Sequence, residues 1–239
     1  YKIKSLWFKK GNEVVKNQVR KADSLRDDDP YLDWTIYNDS HFIYPFEGKL
    51  YRRGSVYLSK GCPFSCTYCI NSFYKNNYYD FGYKVRRKTI EHSLSEIEFL
   101  TKRFNLEFIR FWDESFLSLP TAYLEKFSHG YRDKINLPFT IEATANSITV
   151  EKVKLIMDMG CVSVSIGIET SNEYLRKTVL KKNISNSDYE KAFSILNKLG
   201  LRKVANFMFF LPEQTLEDMY NDIKLSMEWN IDSPSPRIF

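Results

Sequence analysis

From Val56 onward the chain alternates short apolar runs with stretches whose apolar residues recur at helical spacing. Val56 to Leu58 reads as a first strand. A helix is predicted from Ser93, where Ser93 and Glu96 have capping-box spacing and Leu94, Ile97 and Leu100 share a face. Phe108–Trp112 reads as a strand, Thr121–Phe127 as a helix and Phe139–Ala143 as a strand. Glu151–Met159 carries Val153, Ile156 and Met157 on one helical face and stops at Gly160. Val162–Ile168 is the next strand, and the helix Asp188–Leu199 again stops at a glycine, Gly200. Val204–Phe210 is a strand, Leu216–Trp229 a helix, and Arg237–Phe239 opens another strand. Six strands separated by five helices imply an α/β fold of parallel strands joined by right-handed crossovers, either a doubly wound sheet or a barrel.

The first fifty residues read differently. Lys2–Leu6 suggests a short strand and Gly11-Asn12 a hairpin turn. A charged stretch, Arg26–Asp29, precedes Pro30 and an aromatic-rich run without a regular period through Phe46. The division expected is therefore residues 1–50 as a linker or extension and 51–239 as a core domain.

Composition narrows the class. With 43% hydrophobic and 16% aromatic residues, 239 residues can bury a full core. A net charge of +5 with no long basic block gives no reason to expect a nucleic-acid partner; Arg86, Arg87 and Lys88, the densest basic cluster, read as a solvated face. No run of 18 apolar residues occurs, so no membrane span is expected. Four cysteines, three of them crowded into one motif, suit a reducing, cytoplasmic setting. The chain begins at Tyr1 without Met and stops at Phe239 within a strand signal, which reads as a piece of a longer protein truncated at the C-terminus.

The crowded motif is Gly-Cys-Pro-Phe-Ser-Cys-Thr-Tyr-Cys, placing Cys62, Cys66 and Cys69 at C-x3-C-x2-C spacing. Three thiolates at this spacing can hold three irons of a [4Fe–4S] cluster and leave the fourth open to a ligand. A structural zinc site would want four closed ligands, and only Cys66 and Cys69 form the usual C-x2-C pair. Ordinary buried or disulfide cysteines fit such crowding poorly. Cys161, alone after Gly160, reads as a small buried residue, and His92 and His129 as structural or solvent-facing.

The triplet, with Tyr68 before its last cysteine, resembles the signature of the radical S-adenosylmethionine (SAM) enzymes, and the resemblance runs from about Tyr51 onward. It implies a partial (β/α)6 TIM-like barrel with the cluster on the loop after the first strand. It also implies SAM on the open iron, reductively cleaved to a 5′-deoxyadenosyl radical. Ligands of parallel α/β folds gather at the strands' carboxyl ends, and the resemblance assigns cofactor contacts there. Asp113 and Glu114 follow the second strand in place of the family's Gly-Gly-Glu-like motif, which meets the SAM amino group. Glu142, at the end of the third, is costly to bury without a partner and reads either as a contact to SAM or substrate or as surface-facing. The fourth strand, through Ser165 to Gly-Ile-Glu-Thr, resembles the ribose-binding segment, with Glu169 the main candidate. Lys181-Lys182 follows; a base near here, taken as Lys182, would pair with the SAM carboxylate. After the fifth strand, Phe210 and Glu213 replace both glycines of the family's Gly-x-Pro-Gly-Glu-Thr ending, and Gln214 its acid.

Within the family, Pro30-Tyr31-Leu32-Asp33-Trp34 and the acidic Asp113-Glu114 resemble members that pair the radical SAM core with a cobalamin-binding domain. The resemblance then implies methyl transfer or cyclisation on a small-molecule substrate, with an electron donor such as flavodoxin or ferredoxin. Two alternatives stay open: a methylthiotransferase-like modification of tRNA or protein, and a non-catalytic iron–sulfur or zinc protein.

Overall fold

The computed structural model describes residues 2–22, 25, 27 and 29–239. Near its start, β1 (Trp7–Lys10) and β2 (Glu13–Lys16) form an antiparallel hairpin about Gly11-Asn12. The turn is where the sequence places it. The first strand lies later than Lys2–Leu6, because Lys10 must pair with Glu13 directly across a two-residue loop. Of the charged stretch Arg26–Asp29, Arg26 and Asp28 lie outside the described residues.

A second hairpin joins β3 (Ile43–Phe46) to β4 (Lys49–Val56). Its turn residues, Glu47 and Gly48, have φ of 47° and 77°, the mirror-image turn that suits twisted strands. Pro45 hides this strand from periodicity, so the run to Phe46 is more regular than its sequence suggests. Trp34 and Phe42 pack with Phe104 and belong to the main core.

Beyond β4 come β5 (Ser59–Lys60), α1 (Ile70–Tyr78) and β6 (Arg86–Arg87), then α2 (Ile90–Phe104) and β7 (Phe108–Phe111). These are followed by α3 (Thr121–Lys134), β8 (Phe139–Ala143), α4 (Val150–Asp158) and β9 (Cys161–Glu169). The chain continues through α5 (Glu173–Thr178), α6 (Asn186–Leu199), β10 (Arg202–Phe209), α7 (Leu216–Glu228) and β11 (Ser233–Ile238). The first core strand thus ends at Val56 rather than Leu58. The main sheet has the order β11-β10-β9-β8-β7-β4-β3, and every pairing from β4 to β11 is parallel. Along these six strands the order follows the sequence without reversal. A doubly wound sheet reverses at its switch point, so this is the winding of a partial (β/α)6 barrel. At the β11 edge, Phe239 N–H donates to Phe209. The alternate positions Pro234 and Pro236 therefore turn their missing N–H toward the free edge, where proline is tolerated.

One sheet face is apolar: Ile109, Phe111, Ile141, Val164, Ile166 and Ala205 are buried in the core. The alternating residues of the other face are mostly polar, Arg110, Ser163, Ser165 and Asn206 among them. The helix expected from Ser93 begins three residues earlier, because Thr89 is its cap and its Oγ1 accepts from His92 N–H at 3.2 Å. Glu96 is turned away from any cap, into a buried ion pair with Lys88. Lys88 therefore leaves the solvated face expected of the basic cluster, with 6% of its surface exposed.

Candidate active site

The cysteine loop is positioned from three sides. Gly61 has φ +90°, and a Cβ there would meet the Lys84 carbonyl oxygen at 2.9 Å, so the chain turns in close contact with the strand-β6 approach before presenting Cys62. Lys75 of α1 donates to Pro63 O and to Ser65 Oγ, each at 3.0 Å. Thr67 donates through N to Leu180 O (2.9 Å) and through Oγ1 to Val179 O (2.8 Å). Cys69 caps α1, its carbonyl accepting from Ser72 N–H.

Cys62, Cys66 and Cys69 line one cavity of about 600 Å³ at the carboxyl ends of the parallel strands. Burial pushes the Cys62 thiol up to about 11 and raises Cys66 in the same direction. Asn71 donates to Cys69 Sγ at 3.7 Å, a contact that stabilises a thiolate ligand. Cys161 is buried in β9 and takes no part in this cavity. Among the described residues no three Cys, His, Asp or Glu side chains converge as ligands of a single ion. Three thiols lining one cavity supply the donor set that three irons of a [4Fe–4S] cluster require.

The same cavity is lined by Tyr68, Asp113, Glu114, Glu142, Glu169 and Lys182. Glu169 is brought there by a bulge: Asn206 pairs with Gly167 and Phe207 with Glu169, leaving Ile168 extra and Glu169 at φ +70°. Its Oε1 accepts from Lys182 Nζ at 2.7 Å and Tyr68 OH at 2.8 Å. Lys182 Nζ also donates to Gly167 O at 2.6 Å, as does Tyr189 OH at 2.8 Å. Two of its three ammonium protons are thereby used, leaving one. Burial disfavours the Lys182 ammonium, but the Glu169 carboxylate outweighs it and holds its pKa above the ordinary value. Burial, reinforced by Glu169, raises Tyr68. Lys181 is exposed at φ +52°.

Asp113 is 1% exposed, and its carboxylate is already engaged by Leu58 N–H (3.0 Å), Ser59 N–H (2.7 Å) and Ser59 Oγ (2.5 Å). It holds the segment entering the cysteine loop, while the exposed Glu114 faces the cavity. Glu142 pairs with Arg110 at 2.8 Å. Ser165 accepts from Asn206 Nδ2 at 2.9 Å and lines a neighbouring cavity instead. Phe210 and Glu213, at φ 64° and 65°, keep the left-handed backbone that glycine would supply. Gln214 braces this turn by accepting from Leu211 N–H and donating to Asp222 Oδ2.

Sequence reasoning missed Arg176, which is fully buried. It donates to Ile184 O (2.9 Å), Asn186 Oδ1 (2.5 Å) and Thr170 O, tying the Lys182 segment to the end of β9. Nothing distinguishes it in sequence from a surface arginine of a short helix.

Burial lifts Asp113 from 3.8 to about 6 despite its hydrogen bonds. Between those values the folded state binds the proton more tightly than the unfolded state does, so this group's contribution falls as pH rises from 4 to 6 and is constant above. At 1.36 kcal/mol per unit the span is roughly 3 kcal/mol. Denaturant titrations across pH 4–7 should show this arm in the native protein and lose it in Asp113→Asn. That variant should also cost about 1–3 kcal/mol at pH 7, since an amide cannot accept from both backbone donors.

A parallel half barrel with a three-thiol loop at its carboxyl end, facing a buried Glu–Lys–Tyr cluster, defines a cofactor-binding enzyme core of the iron–sulfur kind. The sequence profile of the radical SAM superfamily matches residues 56–226, and the chain belongs to that superfamily. Its members, which use a [4Fe–4S] cluster and SAM, are enzymes. The chain is 26% identical over 245 residues to an anaerobic magnesium-protoporphyrin IX monomethyl ester cyclase of Cereibacter sphaeroides, covering 96% of this chain and 36% of that one. It is 24% identical over 179 residues to an uncharacterized methyltransferase of Pyrococcus horikoshii, covering 75% and 38% respectively. The chain thus spans little more than a third of the length of these curated relatives. A solved radical SAM methyltransferase, TsrM from Kitasatospora setae, with cobalamin and a [4Fe–4S] cluster bound, shares the fold at a TM-score of 0.64. The identity is 15%, and 77% of this chain and 36% of that one are covered. Among the described residues no helix is long and apolar enough to cross a membrane.

Proposed function

We propose that this chain is the catalytic core of a cytoplasmic radical SAM enzyme that works with cobalamin in methyl transfer or cyclisation of a small molecule. The observation carrying the reading is the single cavity that joins all three motif cysteines to Glu169, Lys182 and Tyr68. Cluster and SAM together would supply a 5′-deoxyadenosyl radical by reductive cleavage, with flavodoxin or ferredoxin as electron donor.

The chain's own residues have separable tasks. Cys62, Cys66 and Cys69 would hold three irons of the cluster, and Asn71 hydrogen-bonds the Cys69 sulfur. With SAM bound, Glu169 would accept from the ribose hydroxyls, the remaining Lys182 proton would pair with the carboxylate, and Glu114 would take the amino group. Tyr68 orients Glu169. Asp113 acts indirectly, by fixing Leu58 and Ser59 at the entry to the cysteine loop. Glu142 and Ser165 stand on the lumen side, where substrate enters. The cyclase relative supports cyclisation, and the cobalamin-bound methyltransferase neighbour supports methyl transfer with cobalamin. Residues 1–50 would connect the core, residues 51–239, to a cobalamin-binding domain.

Electron paramagnetic resonance of anaerobically reconstituted, reduced protein tests the reading. A [4Fe–4S]⁺ signal that changes with SAM and vanishes in Cys66→Ala is the expected result. A signal indifferent to SAM, or zinc bound in place of a cluster, would sink it.

A further inference from the structure

The polar face of the half barrel carries four arginines: Arg53 on β4, Arg110 on β7, Arg202 on β10 and Arg237 on β11. They line one cavity of about 320 Å³, together with Ser163, Ser165 and Asn206. In a closed barrel such inward positions are filled by layers of apolar side chains. Here they are cationic, and few carboxylates answer them. Glu142 pairs with Arg110 at 2.8 Å, and Glu47, exposed at the rim, lies 3.4 Å from Arg202. Among the described residues no carboxylate lies within ion-pair distance of Arg53 or Arg237.

Aromatic rings hold the guanidinium groups in place. Arg53 lies 3.5 Å over the Tyr44 ring, Arg110 3.6 Å over Trp112 and Arg202 5.5 Å over Phe46. Stacking occupies the guanidinium face and leaves its edge, where the N–H donors are, for a planar or tetrahedral anion. Burial lowers the Arg53 pKa, and the neighbouring Arg110 charge pushes the same way. Like charges gathered in a cleft with too few counter-charges are costly unless an anion completes the site. Glu142 and Asn206 line both this cavity and the cysteine cavity, so the two spaces adjoin.

We infer that the lumen takes a small substrate bearing at least two acidic groups, carboxylate or phosphate, held by Arg53, Arg110, Arg202 and Arg237. Its reacting end points past Glu142 and Asn206 toward the cysteines. The volume is near the lower end for small-molecule sites, about 300–1,000 Å³. The direction of the reacting end rests on the proposed radical SAM chemistry; the anion site itself does not.

Calorimetric titration of the full, anaerobically reconstituted chain with pyrophosphate, with tricarballylate and with the neutral tricarballylamide tests the inference. At least one anion should bind tenfold or more tightly than the triamide; the tighter of the two tells phosphate from carboxylate. Arg53→Gln and Arg237→Gln should each weaken it at least tenfold, while Arg53→Lys retains part of the affinity. Arg237 is exposed on the edge strand, so its replacement leaves folding intact and keeps the test informative. Anion binding no tighter than the triamide, or weakened equally by Lys191→Gln on the outer surface, would overturn the inference. The SAM-dependent resonance signal, recorded on the same samples, separates the two readings. Its presence without arginine-dependent binding refutes the substrate class alone, and the converse refutes the radical chemistry alone.

Discussion

Lys182→Met is expected to destabilise the protein by about 3–5 kcal/mol, the cost of leaving a buried charge without its partner. Glu169, 7% exposed, would retain only the Tyr68 hydroxyl. For a domain of this size the melting temperature should fall by roughly 10 °C. Because the Lys182 pKa is raised in the folded state, its stabilisation is fully present below the unfolded lysine pKa. The loss should therefore be uniform across neutral pH and shrink only in strong alkali. SAM affinity should fall at least tenfold in the same variant. The double variant Lys182→Met/Glu169→Gln separates structure from binding: stability should largely return while SAM affinity stays lost. Full recovery of SAM binding in the double variant would reduce the pair to a structural role. Gly167→Ala probes the same cluster from the backbone, since a Cβ there would stand 2.3 Å from Glu169 Oε1 and 2.9 Å from Lys182 Nζ. It should mimic the loss of SAM affinity without removing any charge.

The second large effect is expected at Lys88. Its ammonium is buried against Glu96, lies 3.9 Å over the Tyr57 ring, and offsets a small part of the upward push that burial gives Asp113. Glu96 in turn accepts from Leu32 N–H at 3.1 Å, so the pair ties the segment before β3 to α2. Lys88→Met should cost about 3–5 kcal/mol by stranding Glu96. Lys88→Met with Glu96→Leu should recover most of that, because an apolar pair of similar volume avoids the desolvation of two ions. Hydrogen exchange at Leu32 should accelerate in the double variant, which loses the Glu96 acceptor, and stay slower in Lys88→Met, which keeps it. Denaturant midpoints of the native protein and both variants, with exchange at Leu32, check this. Equal destabilisation of single and double variants would show that the pair is worth more than its apolar replacement.

The Lys88–Glu96 pair marks where sequence reading stopped. Lys88 and Glu96 looked like ordinary surface charges, Glu96 within an apparent capping box. The box was displaced because Thr89 already caps the helix. Burial of both charges depends on what α2 packs against, and that information is not local. Arg176 escaped notice for the same reason: its three acceptors lie on segments 6 to 10 residues away whose path only the packed fold sets. The β3–β4 hairpin was hidden by Pro45 and by a turn built from Glu47 as well as Gly48.

What the sequence determined by itself was periodic or covalently local. The strand–helix alternation after Val56 set a parallel α/β sheet, because apolar spacing alone decides which residues a strand or helix can bury. The C-x3-C-x2-C spacing set the donor chemistry, because eight residues of chain cannot separate three thiols far. The family likeness then pointed to Glu169 and Lys182. Tertiary structure decided the rest. It chose the unreversed strand order, placed Glu169 in the cavity through a one-residue bulge, withdrew Asp113 into the backbone of the loop it supports, and collected four arginines in the lumen. Each of these depends on which strands are neighbours and in what register, and register is settled only when the whole sheet packs.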